Sequence, residues 1–113
     1  GIMDVLFDTR TNTVSVVGKS LTSKDIPSSR ATIEIISILL ENANQDVSNK
    51  SLPRSSYSTN RNELQSKIII PLQKIIQKRL NTRLNIEIHG SLLDFYIKLK
   101  PSNCHIHIID REF

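Results

Sequence analysis

Residues 60–80 read NRNELQSKIIIPLQKIIQKRL, and this stretch decides the fold. Leu64, Ile68, Leu72, Ile75 or Ile76, and Leu80 recur at helical intervals, so the stretch is expected to bury one helix face. Pro71 sits inside the run and removes a backbone donor, so a kink or break is expected there. The alternative is a strand over 67–70 followed by a helix with Pro71 in its first position. The spacing of Leu64, Ile68 and Leu72 favours one kinked helix.

Upstream, Ile33, Ile36, Leu39 and Leu40 fall on one face of a helix over 30–42, with Ile35 and Ile38 widening the stripe. Ser28 or Ser29 is the expected N-cap, since a serine oxygen accepts from the free amides of the first turn. Between the two helices, 47–52 reads as a short helix capped by Ser48 and limited by Pro53, and 54–60 as a loop or irregular helix end.

Toward both termini the period becomes two. Residues 4–8 and 13–17 form an expected hairpin with a four-residue loop, and 21–22 a brief third strand. After Leu80, the alternations at Leu84/Ile86/Ile88, Phe95/Ile97/Leu99 and Ile106/Ile108 predict three antiparallel strands, punctuated by Gly90-Ser91 and Pro101-Ser102-Asn103. Strands, then helices, then strands is an α+β order, and 113 residues suit a single domain, 1–113, or a fragment of a longer protein.

The net charge of +4 is unevenly placed. Residues 1–46 carry −2 and residues 85–113 carry −1, whereas 47–84 carry +7, with eight basic side chains opposed only by Glu63. A local field of this kind attracts phosphates; its ordinary alternative is a solvated basic face. At 100° per residue, Ser66, Lys67, Ile70, Gln73, Lys74, Gln77 and Lys78 lie broadly opposite the apolar stripe. Lysines suit phosphate or guanine, glutamine suits adenine, and an exposed isoleucine suits a thymine methyl. Arg54, Arg61 and Arg83 are expected at the backbone rather than at base edges. Lys98 and Lys100 alternate outward on a hairpin strand, where they either meet a flanking phosphate or protect an edge.

The pattern resembles the DNA-binding domain of OmpR-type response regulators over about residues 5–99. The resemblance rests on 7–8 through 16–18, Ser20-Leu21-Thr22-Ser23-Lys24-Asp25, Ile38-Leu39-Leu40-Glu41-Asn42, and Asp46-Val47-Ser48 with Lys50-Ser51-Leu52. It implies a winged helix with small N-terminal antiparallel strands, three helices, a recognition helix over 64–80 and a wing over 86–99. The sequence departs from the family at Pro27, at Ile69-Ile70-Pro71, in lacking a glycine-x-glycine-tyrosine wing, and in its extra strand over 104–110. The expected function is DNA binding, as a transcriptional regulator or its effector module. The alternative is a winged helix used for protein–protein contact within a larger signalling or ATPase-type protein, with a protein partner or a second copy of itself.

Other classes find little support. His105 and His107 share a strand face while Cys104 points the other way, and a fourth ligand at zinc spacing is missing, so no metal is expected. No nucleophile-base set and no glycine-rich phosphate loop are present, so neither an enzyme nor a cofactor is expected. Five scattered aromatics and no tryptophan disfavour RNA binding by stacking. A single cysteine suits a reducing compartment. Neither a signal peptide nor an apolar run of membrane-spanning length is seen, so the expected location is the cytoplasm, away from membranes.

Overall fold

The computed structural model describes residues 3–8, 13–16, 19–21, 24–26, 29–53, 57–81, 83–100 and 104–109; side chains are described for 24–26, 30–53, 57–79, 81 and 83–100. The fold is α+β, with two α-helices and two sheets among these residues.

The first sheet contains β1 (Met3–Asp8), β2 (Thr13–Val16), β3 (Lys19–Leu21) and β7 (Cys104–Ile109), in the order β3-β2-β1-β7. Asp8 pairs with Thr13, which closes the expected hairpin over a four-residue link. The second sheet contains β4 (Val47–Ser48), β5 (Asn85–Gly90) and β6 (Phe95–Lys100), in the order β4-β6-β5 and antiparallel throughout.

Two sequence expectations are corrected here. The last strand does not continue the β5–β6 meander. β7 leaves for the first sheet and runs parallel to β1, from Met3 opposite Cys104 to Asp8 opposite Ile109. Alternation reports that a segment is a strand but not which edge receives it, and a parallel partner needs a long crossover, supplied here by nearly the whole chain. The second correction concerns 47–52. Val47 and Ser48 pair with Ile97 and Tyr96 as a strand, and only a 3-10 turn, Asn49–Ser51, follows. Ser48 caps it as expected, its Oγ accepting from the Lys50 amide at 3.2 Å. Pro53 stands too close behind for a longer helix to form.

Helix α1 (Ser29–Glu41) lies where the periodicity places it; the Ser28 reading falls outside the described residues. Its end is tied to the second sheet. Asn44 takes a left-handed conformation, φ 65°, and its amide donates to the Leu99 carbonyl at 2.8 Å.

Helix α2 covers residues 61–80 without interruption: an α-turn Arg61–Leu64, a π-turn Gln65–Ile69 and an α-segment Ile70–Leu80. Asn60 caps it, its Oδ1 accepting from the amides of Asn62 at 3.0 Å and Glu63 at 3.2 Å. The strand-plus-helix alternative is therefore overturned. The proline is absorbed by register: the Ile70 amide donates five residues back to the Gln65 carbonyl. The wider turn eases the Pro71 ring past the preceding carbonyls without ending the helix.

The core lies between the helices and the second sheet. Ile33, Ile35, Ile36 and Leu39 of α1 and Leu64, Ile68, Ile69, Leu72 and Ile76 of α2 pack with Val47, Leu84, Phe95, Ile97 and Leu99. Of the pair left open at 75/76, Ile76 is buried and Ile75 only partly so. The first sheet approaches this body through β7 beside α1 and β3 beside the C-terminal part of α2.

Candidate functional site

The outer face of α2 carries three lysines, Lys67, Lys74 and Lys78. Ser66, Lys67, Lys74, Gln77 and Lys78 are exposed, and Ile70 is 44% exposed among them. Ile69 is buried, so of the adjacent pair Ile69 and Ile70 only Ile70 turns outward. Lys67, Lys74, Lys78 and Arg83 form no ion pair among the described residues. Arg79 leaves this face, with Nη1 3.6 Å from Asp25 Oδ1. The Ser66 hydroxyl donates back to the Glu63 carbonyl at 3.5 Å.

Gln73 has a different placement. It is half-buried, and its Nε2 donates to the Leu84 carbonyl at 2.9 Å. Asn81 ends the helix in a left-handed conformation, φ 53°, and the chain turns back along the helix flank. Leu84 then enters the core, and Arg83 is set beside the helix. Gln73, Lys74, Gln77, Lys78 and Arg83 thereby line one hollow of 380 Å³. Helical projection alone does not reveal it, because the fifth member comes from beyond the helix. The signal was Asn81, a residue type that tolerates the left-handed turn, two positions before Arg83.

Arg61 and Lys98 hold the hairpin. The Arg61 guanidinium donates to the Gly90 carbonyl, and the Arg61 amide to the Leu92 carbonyl at 2.9 Å. Lys98 Nζ lies 3.8 Å from Asp46 Oδ1 with its side chain 28% exposed. Lys100 Nζ donates to Glu87 Oε1 at 2.7 Å, which holds the Glu87 carboxyl below its ordinary pKa. Arg54 lies outside the described residues.

Asn49, unmarked in the sequence, does similar work from the 3-10 turn. Buried, it donates from Nδ2 to the Leu93 carbonyl at 3.2 Å and accepts from the Phe95 amide at 3.3 Å. The hairpin turn 91–94 is thus bracketed by Asn49 on one side and the start of α2 on the other. Leu92 and Leu93 remain exposed on that turn.

His89 stacks on Tyr96 with centroids 5.8 Å apart, and its Nε2 lies 3.7 Å from Asp46 Oδ1. The side chains of Cys104, His105 and His107 lie outside those described. Among the described residues no group of three His, Cys, Asp or Glu is placed to hold a metal, and no helix is long and apolar enough to cross a membrane.

No protein-family model matches the chain, nor does any curated protein or solved structure.

Proposed function

We propose that this chain is a winged-helix domain that binds duplex DNA through the outer face of α2, as a transcriptional regulator or the effector module of a longer protein. In this reading α1, the 3-10 turn and α2 stand for the three helices, β4-β6-β5 for the wing sheet, and α2 for the recognition helix. The observation that carries the reading is the set Lys67, Lys74, Lys78 and Arg83, exposed on one helix and its flank with no ion-pair partner among the described residues. Cations left in this state can neutralise phosphates, and so release the counterions condensed on a duplex, without first breaking internal pairs. Gln77 and Ile70 are the side chains available for base edges; Gln73 fastens the helix flank, and Arg61 and Lys98 are engaged at the hairpin.

The test is the salt dependence of binding to a labelled duplex, followed by fluorescence anisotropy. Contacts to two phosphates give a slope of log K against log salt near −1.8, so affinity falls roughly tenfold or more from 50 to 200 mM. No binding at 50 mM, or binding indifferent to salt, refutes the reading.

A second reading, a module that contacts another protein or a second copy of the chain, draws on the exposed Leu92–Leu93 pair at the hairpin turn. Sedimentation at rising concentration tests the self-contact form. Association lost in Leu92→Ser/Leu93→Ser, with duplex binding absent, favours it.

A further inference from the structure

We infer that the hollow at the C-terminal end of α2 is a discrete phosphate-holding site in which Lys74, Lys78 and Arg83 share one phosphate group. The inference rests on the duplex-binding reading for the origin of that phosphate.

Three observations converge on it. First, the three cations line one 380 Å³ hollow together with the amide side chains of Gln73 and Gln77, and among the described residues no carboxylate contributes to its lining. Second, Lys74 and Lys78 are separated by one helical turn, so their stems rise from the same face. Third, Arg83 is held in place. The left-handed Asn81 reverses the chain, buried Leu84 anchors it, and Gln73 Nε2 fastens the Leu84 carbonyl at 2.9 Å. Gln73 is therefore a positioning residue, acting on the ligand through Arg83.

Three like charges around one hollow repel one another, and an anion seated among them relieves that repulsion. A phosphate group suits the remaining chemistry: the arginine fork and two ammoniums donate to its oxygens, and the Gln77 amide adds a neutral donor. A carboxylate offers two oxygens where a phosphate offers more acceptors. The site thus extends the contact surface past the helix, to a residue that helical periodicity does not include.

Sharing gives the proposal a distinctive signature. Separate phosphate contacts each contribute about 0.9 to the salt slope, whereas cations on a single phosphate contribute that amount together. The experiment compares the parent, Arg83→Gln and Lys74→Gln/Lys78→Gln/Arg83→Gln in duplex titrations over a range of salt. An almost unchanged slope in the single variant and a slope reduced by about 0.9 in the triple variant are the expected results; a reduction of about 2.7 in the triple variant, or none, overturns the shared site. Inorganic phosphate, titrated at constant ionic strength while the amide resonances of Gln77 and Arg83 are followed, keeps the two readings apart. Saturable shifts in the parent that are lost in Arg83→Gln support the hollow even where the duplex fails to bind. Their absence in the parent overturns it whatever the duplex does. Gln73→Met checks positioning: weakened phosphate shifts with unchanged charge are expected, and unaltered shifts overturn its role.

Discussion

Gln73 Nε2 donates to the main-chain carbonyl of Leu84 at 2.9 Å, fastening the middle of α2 to the chain that leaves its far end. The bond turns a helix end into a fixed corner. Leu84 enters the core on one side of that corner, and Arg83 projects beside Lys74 and Lys78 on the other. A side chain that helical spacing assigns to the solvent face is thus partly covered by a segment its own helix does not contain.

Replacing Gln73 by Met keeps most of the volume and leaves the half-buried carbonyl without its donor. A loss of about 1 to 3 kcal/mol is expected, read as a lower urea midpoint at unchanged slope. An unchanged midpoint would show that the corner holds without the bond.

Gly90 closes β5 at φ 122°, and a Cβ there would lie 2.7 Å from both the Asp94 carbonyl oxygen and Phe95 Cα. Both are backbone atoms next to the turn that Arg61 and Asn49 bracket. Gly90→Ala is therefore expected to lower stability by roughly 1 to 3 kcal/mol in equilibrium unfolding, with the damage centred on the hairpin. Retention of full stability would contradict the described turn.

Phe95, fully buried, and Leu93, 64% exposed, sit two residues apart on the same hairpin. Phe95→Ala removes a ring from the centre of the core and should cost about 3 to 5 kcal/mol. Leu93→Ser should stay within about 0.5 kcal/mol. Thermal unfolding of the two variants measures the contrast; similar losses would mean that the turn is packed differently.

Glu87 stands opposite Lys98 on β6 and reaches diagonally to Lys100, and the hydrogen bond from Lys100 lowers the Glu87 pKa. A carboxyl with a depressed folded pKa contributes stability above its unfolded value and loses that contribution as pH falls through the folded value. Unfolding measured from pH 7 down to pH 3 should therefore show a smaller acid-side loss for Glu87→Gln than for the parent. Parallel curves would contradict the pair. The residues are exposed, so the difference is expected to be small.

The helices were legible because a 3.6-residue period survives even a proline: Leu64, Ile68, Leu72 and Ile76 are all buried across the π-turn. The β5–β6 hairpin was equally plain, with Phe95, Ile97 and Leu99 inward in strict alternation. β4 was not, because a two-residue strand has no period, and Ser48 looked only like the cap it also is. The partner of β7 was hidden for another reason: alternation fixes a strand's faces, not its neighbour. At the candidate site, the exposed positions of Lys67, Lys74, Gln77 and Lys78 follow from projection around the helix. The tasks of Gln73, Arg61 and Lys98 do not, since each is set by a segment far along the chain.

If the outer face of α2 meets the duplex, reversing the charge of that face removes the attraction. Lys67→Glu/Lys74→Glu/Lys78→Glu alters only exposed side chains, so the fold should persist, as circular dichroism would verify. In a duplex titration at 50 mM salt, a loss of affinity of about tenfold or more and a flattened salt slope are expected. Equal affinity of variant and parent for the duplex would contradict that contact.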